Sequence, residues 1–91
     1  MAKTLFGLAF SEKAAGFLDQ MPSGKVRAQI AKKAKALTGN PYPSGCKKLI
    51  GVKDGDSPVW RVRTGDYRIL YSVREAEVLV LDIGNRKDVY K

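Results

Sequence analysis

The chain has 91 residues, a formal net charge of +8, one cysteine and no histidine, and its length predicts one domain, residues 1–91, with a modest hydrophobic core. The single cysteine, Cys46, excludes an intramolecular disulfide, and the absence of histidine leaves no credible zinc site. The apolar stretch at 5–10 is too short to span a membrane, so we expect a cytoplasmic protein that needs no metal or other cofactor.

The first half predicts one strand and two helices. Residues 3–10 alternate weakly and are interpreted as a strand. Ser11 can cap a helix over 12–20, and Ser23 can cap a second helix over 24–38. The apolar stripe of the second helix repeats at helical spacing and consists of Val26, Ile30, Ala34 and Leu37.

Positive charge is concentrated between Gln20 and Lys53, where the sequence has no acidic residue. A positive electrostatic potential over this region favours a polyanionic partner, namely nucleic acid, an acidic protein or an anionic membrane. The alternative is a solvated helix face that keeps the chain soluble. The basic residues considered as binding candidates are Lys25, Arg27, Lys32, Lys33, Lys35, Lys47, Lys48 and Lys53.

The second half predicts a loop followed by strands. Residues 40–45 carry the prolines and glycine of a loop, and 46–52 lead into a strand for which we leave open an interruption at 54–58. A hairpin then turns at 64–66, where Gly supplies a positive φ. Residues 78–84 are apolar on both faces, which predicts a central strand.

The hairpin separates apolar and basic side chains. Because residues alternate along a strand, Trp60 and Val62 point to one face while Arg61 and Arg63 point to the other, and Arg68 joins the arginines from the return strand. Three guanidiniums on one surface repel each other unless an anion lies between them. The alternative is three solvated surface arginines.

The element order predicts an α+β fold. We expect the order β-α-α-β-β-β, with two N-terminal helices packed on one face of a small, mostly antiparallel sheet of three or four strands. Trp60 should be largely buried beneath the helices. Arg61 should be largely exposed on the opposite, partly concave face.

The hairpin and the residues after the last strand resemble the RelE/ParE superfamily, the small toxins of bacterial and archaeal type II toxin–antitoxin pairs. The run from Trp60 to Tyr71, an apolar strand, and then Gly-Asn-Arg-Lys-Asp-Val-Tyr at 84–90 carry the resemblance, which is close over residues 47–91. The presence of Arg86 and Tyr90 after the strand favours the RelE branch, which cleaves mRNA.

The resemblance implies a ribosome-dependent, metal-independent endoribonuclease in which a 2′-hydroxyl attacks its own phosphate and leaves a 2′,3′-cyclic phosphate. Guanidiniums suit the charged phosphorane, but arginine is a poor base, so either Tyr90 or a lysine among 47, 48 and 53 would accept the proton. The basic residues between Gln20 and Lys53 would bind ribosomal RNA and mRNA. The implied catalytic residues are Arg61, Arg63, Arg68, Arg86 and Tyr90.

The resemblance departs from the family at two places and leaves two other functions open. Arg61 and Arg63 stand where some members have lysines, and Asn85 stands where others have a histidine, so the general base is not assigned. A ParE-like inhibitor of DNA gyrase would share the fold. A non-catalytic RNA-binding module would stack bases on exposed aromatics, for which Tyr42 is the candidate.

Either toxin implies a cognate partner. The family neutralises its toxins with a co-expressed antitoxin that wraps the toxin, so the resemblance implies a RelB-like antitoxin and a hetero-oligomer. A chain with a net charge of +8 suits an acidic partner that folds on binding.

Overall fold

The structure is a computed structural model that describes residues 5–21 and 23–85. The predicted α+β class is confirmed, with two helices before a mostly antiparallel sheet, and the sheet has one strand more than the predicted order. The elements are β1 (Gly7–Phe10), α1 (Glu12–Asp19), α2 (Gly24–Ala36), β2 (Lys47–Asp54), β3 (Ser57–Thr64), β4 (Tyr67–Arg74) and β5 (Glu77–Asn85).

Serine side chains begin both helices. Ser11 Oγ accepts the amide hydrogen of Ala14 at 3.1 Å, and Ser23 Oγ accepts that of Val26 at 3.2 Å. These bonds satisfy amides that have no partner inside a helix. Helix α2 ends two residues before the predicted position 38, and Leu37 caps it.

The five strands lie in the order β1-β5-β4-β3-β2. Strand β1 pairs with β5 in parallel, from Gly7 opposite Glu77 to Phe10 opposite Val80, and the other pairs are antiparallel. Strand β5 lies between β1 and β4, which confirms that the apolar segment at 78–84 is central. At the end of β1, Ser11 Oγ donates to the Leu81 carbonyl at 2.7 Å.

A two-residue turn fixes the register of β3 and β4. Gly65 has φ +61 at the first turn position, as a type II′ turn requires. The turn sets Trp60 opposite Tyr71 and Val62 opposite Ile69. Directly opposed residues share a face, so these four side chains all point toward the helices.

The core lies between the helices and this face of the sheet. Trp60 packs against the core but is half-buried rather than largely buried, and the ring of Tyr42 meets it edge-on with centroids 5.0 Å apart. Arg61 on the other face is also half-buried, so the predicted orientation holds but the predicted contrast in burial between Trp60 and Arg61 is wrong. The buried apolar residues of this core are Ala14, Met21, Ile30, Ala34, Leu37, Val62, Ile69, Tyr71, Val78, Val80 and Ile83.

The additional strand, β2, is tied to β4 through its last residue. The Asp54 carboxylate lies 2.9 Å from the Arg74 guanidinium and accepts a hydrogen bond from the buried Ser72 hydroxyl at 3.1 Å. Arg74 also donates to the Asp54 carbonyl at 2.6 Å. These contacts hold the turn between β2 and β3 against β4.

Tyr71 fastens the loop between α2 and β2 to the core. Its hydroxyl is buried and donates to the Pro41 carbonyl at 2.5 Å. Burial, and secondarily the neighbouring Cys46, raise the pKa of Tyr71 well above its ordinary value. This phenol therefore holds its proton and is a hydrogen-bond donor rather than a candidate base.

We predict that Tyr71→Phe lowers the free energy of unfolding by about 1–2 kcal/mol at pH 7, because the Pro41 carbonyl loses its buried donor. The folded pKa is raised, so the contribution of Tyr71 is complete below the ordinary value of about 10 and declines at higher pH, where the unfolded chain releases this proton first. Urea denaturation should therefore show a smaller difference between wild type and variant at pH 11 than at pH 7. Tyr42→Phe, at an exposed tyrosine, is the control, and a constant Tyr71→Phe difference over this range would contradict the prediction.

Candidate anion-binding site

Three arginines share the sheet face that points away from the helices. Arg63 lies directly opposite Arg68 across β3 and β4, and Arg61 lies two residues before Arg63 on the same face. Side chains of a directly opposed pair have Cβ atoms about 4.5–5.5 Å apart. The sequence prediction of a shared arginine surface is consistent with this register.

A lysine from β2 extends the arginine surface. Lys47 pairs with Arg61 across β2 and β3, which puts it on the same face. On the other side Arg68 lies opposite Gly84 of β5, which contributes no side chain of its own to this face. We call the set of Lys47, Arg61, Arg63 and Arg68 the cationic face.

The arginines of the cationic face differ in how deeply their side chains are buried. Arg61 and Arg68 are half-buried and their Nε atoms are shielded from solvent, whereas Arg63 is exposed. Partial burial restricts the side chains and lowers the local dielectric constant, which strengthens their interaction with an anion. Two of the guanidiniums are therefore positioned before any ligand arrives.

The chemistry of the cationic face suits a phosphate. Guanidiniums present paired N–H donors that match two phosphate oxygens. Like charges directly opposite each other repel across a sheet, and Arg63 lies opposite Arg68 in the register. A bound polyanion would remove this repulsion.

The predicted basic residues divide between two surfaces. Helix α2 packs on the other face of the sheet, so its basic side chains lie away from the cationic face. Lys48 pairs with Trp60 and so lies on the face opposite Lys47. Arg86 and Tyr90 lie outside the described residues. The α2 surface carries Lys25, Arg27, Lys32, Lys33 and Lys35.

From the sequence, Lys47 is predicted only as a binding residue and as one of three lysines, with Lys48 and Lys53, that could accept the proton. Its place beside Arg61 depends on the pairing of β2 with β3, whose register shifts between Lys48 and Lys53. No alternation in the sequence reveals such a shift. The charge cluster at 47–53 was the available signal, and it does not distinguish Lys47 from Lys48.

Apart from the cationic face, the structure has a cavity of about 470 Å³ between α1 and β5. Its lining includes Glu12 and Asp82, and Lys13 lies 3.2 Å from the Asp82 carboxylate. Carboxylates disfavour an anion, so the cationic face is the better phosphate site. Among residues 5–21 and 23–85, no group of three or more histidine, cysteine, aspartate or glutamate side chains could hold a metal ion, and no helix there is long and apolar enough to cross a membrane.

The sequence matches one protein-family model over nearly its whole length. The model describes the ParE toxin of the type II toxin–antitoxin system parDE, and it matches residues 8–90. No curated protein matches the chain.

Several solved structures share the fold. The RelBE2 toxin–antitoxin complex of Mycobacterium tuberculosis superposes with a TM-score of 0.76 at 23% identity, covering 96% of this chain and 98% of that one. The archaeal RelE–RelB complex of Pyrococcus horikoshii gives 0.75 at 23% identity, covering 93% and 99%. The isolated RelE toxin of E. coli gives 0.67 at 28% identity, covering 93% and 90%.

We predict that Arg63→Gln leaves the fold as stable as wild type or raises its free energy of unfolding by about 0.2–1 kcal/mol, because it removes the like-charge pair with Arg68. The same variant should bind oligouridine more weakly and with a shallower salt dependence. Urea denaturation and fluorescence anisotropy at several salt concentrations measure the two effects. Arg27→Gln removes an equal charge from α2, and an equal loss of affinity in both variants would show that net charge alone binds the RNA.

Proposed function

The chain belongs to the ParE toxin family of type II toxin–antitoxin systems, and from this premise we propose that it is a ribosome-dependent endoribonuclease that cleaves mRNA and blocks translation. The family match confirms the resemblance to the RelE/ParE superfamily that the sequence carries. The observation that supports the nuclease is the cationic face, with two half-buried arginines positioned for a phosphate. We propose that residues 1–91 act as one toxin domain in the cytoplasm, where ribosomes translate.

The proposed reaction needs no metal ion. The 2′-hydroxyl oxygen of one nucleotide attacks the adjacent phosphorus, the bond from phosphorus to the 5′ oxygen breaks, and the products are a 2′,3′-cyclic phosphate and a 5′-hydroxyl. Arg61, Arg63 and Arg68 stabilise the negative charge that builds on the phosphorane oxygens. From its sequence position, Arg86 is proposed to add a further guanidinium.

Proton transfer is assigned to residues other than arginine. A base must take the 2′ proton and an acid must supply one to the leaving 5′ oxygen. Tyr90 is the tyrosine candidate from the sequence. Of the three lysine candidates, Lys47 pairs beside Arg61, so it is the lysine on the correct face.

The ribosome would supply what the cationic face lacks. A small domain with a weak base gains most when its substrate is already held in an attack-ready geometry, because orientation alone can lower a barrier by several kcal/mol. The basic surface of α2, on the other side of the molecule, would bind ribosomal RNA phosphates while the cationic face meets mRNA.

An acidic, RelB-like antitoxin is the proposed neutralising partner. Two of the similar structures are complexes of RelE with RelB or of RelBE2, so those toxins bind antitoxins. The net charge of +8 on this chain favours a partner of opposite charge and a rapid, salt-sensitive encounter.

A gyrase inhibitor is the second candidate function, because the matching family is described as a ParE toxin. Such a toxin would use the same surface for protein contact and would cut no RNA. A simple RNA-binding module has less support, since the ring of its stacking candidate Tyr42 already packs against Trp60.

Expression of the chain without an antitoxin is expected to arrest growth through mRNA cleavage within translated reading frames. Primer extension on abundant mRNAs should then show discrete stops that are absent with Arg68→Ala. Intact mRNA accompanied by DNA-damage signalling would instead assign the chain to gyrase inhibition.

We predict that Arg68→Ala slows single-turnover cleavage of ribosome-bound mRNA by about 100-fold, because one preorganised cation at the phosphorane is lost. Arg68→Lys should recover only part of the rate, since it keeps the charge without the paired donors. Arg27→Ala on α2 is the matched control and should raise the ribosome concentration needed for half-maximal rate while leaving the maximal rate unchanged. Full activity of both Arg68→Ala and Arg86→Ala, with folding intact, would place the site elsewhere.

Tyr90 is tested by a pair of substitutions. If it transfers a proton, Tyr90→Phe should slow the same single-turnover reaction by a factor in the range of about 10²–10⁴, because only the hydroxyl is removed. If it stacks on a base, Tyr90→Phe should keep the wild-type rate while Tyr90→Ala loses it.

A further inference from the structure

We propose that the outer edge of β2 is a docking site for an acidic, amphipathic peptide segment of the kind an antitoxin would present, an inference that rests on the toxin–antitoxin part of the proposed function. The site is an aliphatic tip, Ile50 and Val52, set among exposed lysines. Below it is called the β2 tip.

The β2 tip is produced by a large bulge. Lys48 pairs with Trp60 and Lys53 pairs with Pro58, which leaves the four residues 49–52 opposite the single residue Val59. Gly51 has φ +78, a conformation that side-chain-bearing residues rarely adopt, so a glycine at this position accommodates the bulge. The bulge therefore lifts part of β2 away from the regular ladder.

The bulge exposes its aliphatic side chains instead of burying them. Ile50 is 99% exposed and Val52 is 44% exposed, whereas Val59, which lies opposite the bulge on β3, is 2% exposed. A groove of about 340 Å³ runs beside the tip, with Leu49 and Pro58 in its lining. The projecting isoleucine is an apolar anchor for a partner, and the groove beside it is a cavity that a side chain of the same partner could fill.

The charges around the tip select an acidic partner. Lys47, Lys48 and Lys53 are all exposed on β2. Of the two nearby carboxylates, Asp54 is engaged by Arg74 and Asp56 lines the groove. Cations therefore predominate around the aliphatic tip, which is complementary to a segment that carries apolar side chains flanked by glutamate or aspartate.

A peptide fits this surface better than RNA does. The tip is aliphatic, whereas single-stranded RNA is bound through stacking on aromatic rings. Lysines and a bulge also disfavour the addition of another strand at a sheet edge, so the partner would dock through side chains. Protection of the edge alone would be served by lysines and does not require an exposed isoleucine.

Docking at the β2 tip would affect access to the cationic face. Lys47, the first residue of β2, belongs to the cationic face through its pairing with Arg61. A segment bound along the edge of β2 would therefore lie beside the cationic face and obstruct the approach of a nucleic acid. Docking at the tip would neutralise the toxin without any contact to the arginines.

Nuclear magnetic resonance titration of the ¹⁵N-labelled chain tests the proposal. The probes are a synthetic helical peptide with leucines on one face and glutamates on the other, an oligoglutamate of equal charge, and oligouridine. The amphipathic peptide should shift the amide signals of residues 47–53 and bind at least about tenfold more tightly than oligoglutamate, because it also buries the aliphatic tip. Oligouridine should shift signals around Arg63 and Arg68 and leave residues 50–52 unchanged.

Matched substitutions identify the contact. Ile50→Ser should weaken binding of the amphipathic peptide by about tenfold, while Leu5→Ser, at another exposed aliphatic residue, should leave it unchanged. Val52→Ser is a second variant should Ile50→Ser not fold, and the amide spectrum reports folding in each case. Equal binding by wild type and Ile50→Ser, or shifts at 50–52 caused by oligouridine alone, would overturn the proposal.

The docking experiment can succeed or fail independently of the mRNA cleavage experiment. A wild-type chain that binds the peptide at the tip but leaves ribosome-bound mRNA intact would remove the proposed nuclease and retain the docking site. A chain that cleaves mRNA but shows no peptide-induced shifts at 47–53 would retain the proposed nuclease and remove the docking site.

Discussion

The register between β3 and β4 determines what both faces of the sheet present. Trp60 opposite Tyr71 and Val62 opposite Ile69 place apolar pairs beneath the helices, and the same alignment sets Arg63 opposite Arg68. A shift of one residue would turn the arginines into the core, where each unpaired buried charge costs several kcal/mol, a large share of the stability of a small domain. The packing of the core therefore enforces a charge arrangement that the sheet itself disfavours.

The two faces of the sheet differ in what they carry. Both helices lie on the side of Val62 and Ile69, whereas the three arginines lie on the other side, and the clamp of Asp54 with Arg74 holds the end of β2. The cationic face therefore points away from the helices. An edge strand that is held at its end and lifted in its middle thus borders the proposed site on one side and carries the β2 tip on the other.

The sequence predicted the parts of the fold that depend on local periodicity and missed those that depend on long-range pairing. Both serine caps, the apolar central strand and the separation of Trp60 from Arg61 follow from spacing along the chain. The β2 bulge does not, because nothing in Leu-Ile-Gly-Val indicates that four residues will face one. The contact of Trp60 with Tyr42 likewise does not, because Tyr42 comes from a loop distant in sequence.

The parallel pairing of β1 with β5 bears on when the toxin can act. It joins residues as far apart in sequence as Gly7 and Glu77, so its loop-closure cost exceeds that of the neighbouring hairpins. During synthesis β1 leaves the ribosome long before β5 exists, and the sheet stays incomplete until β5 has emerged. The order of the strands therefore delays the complete fold, and any action that requires it, until β5 has been made.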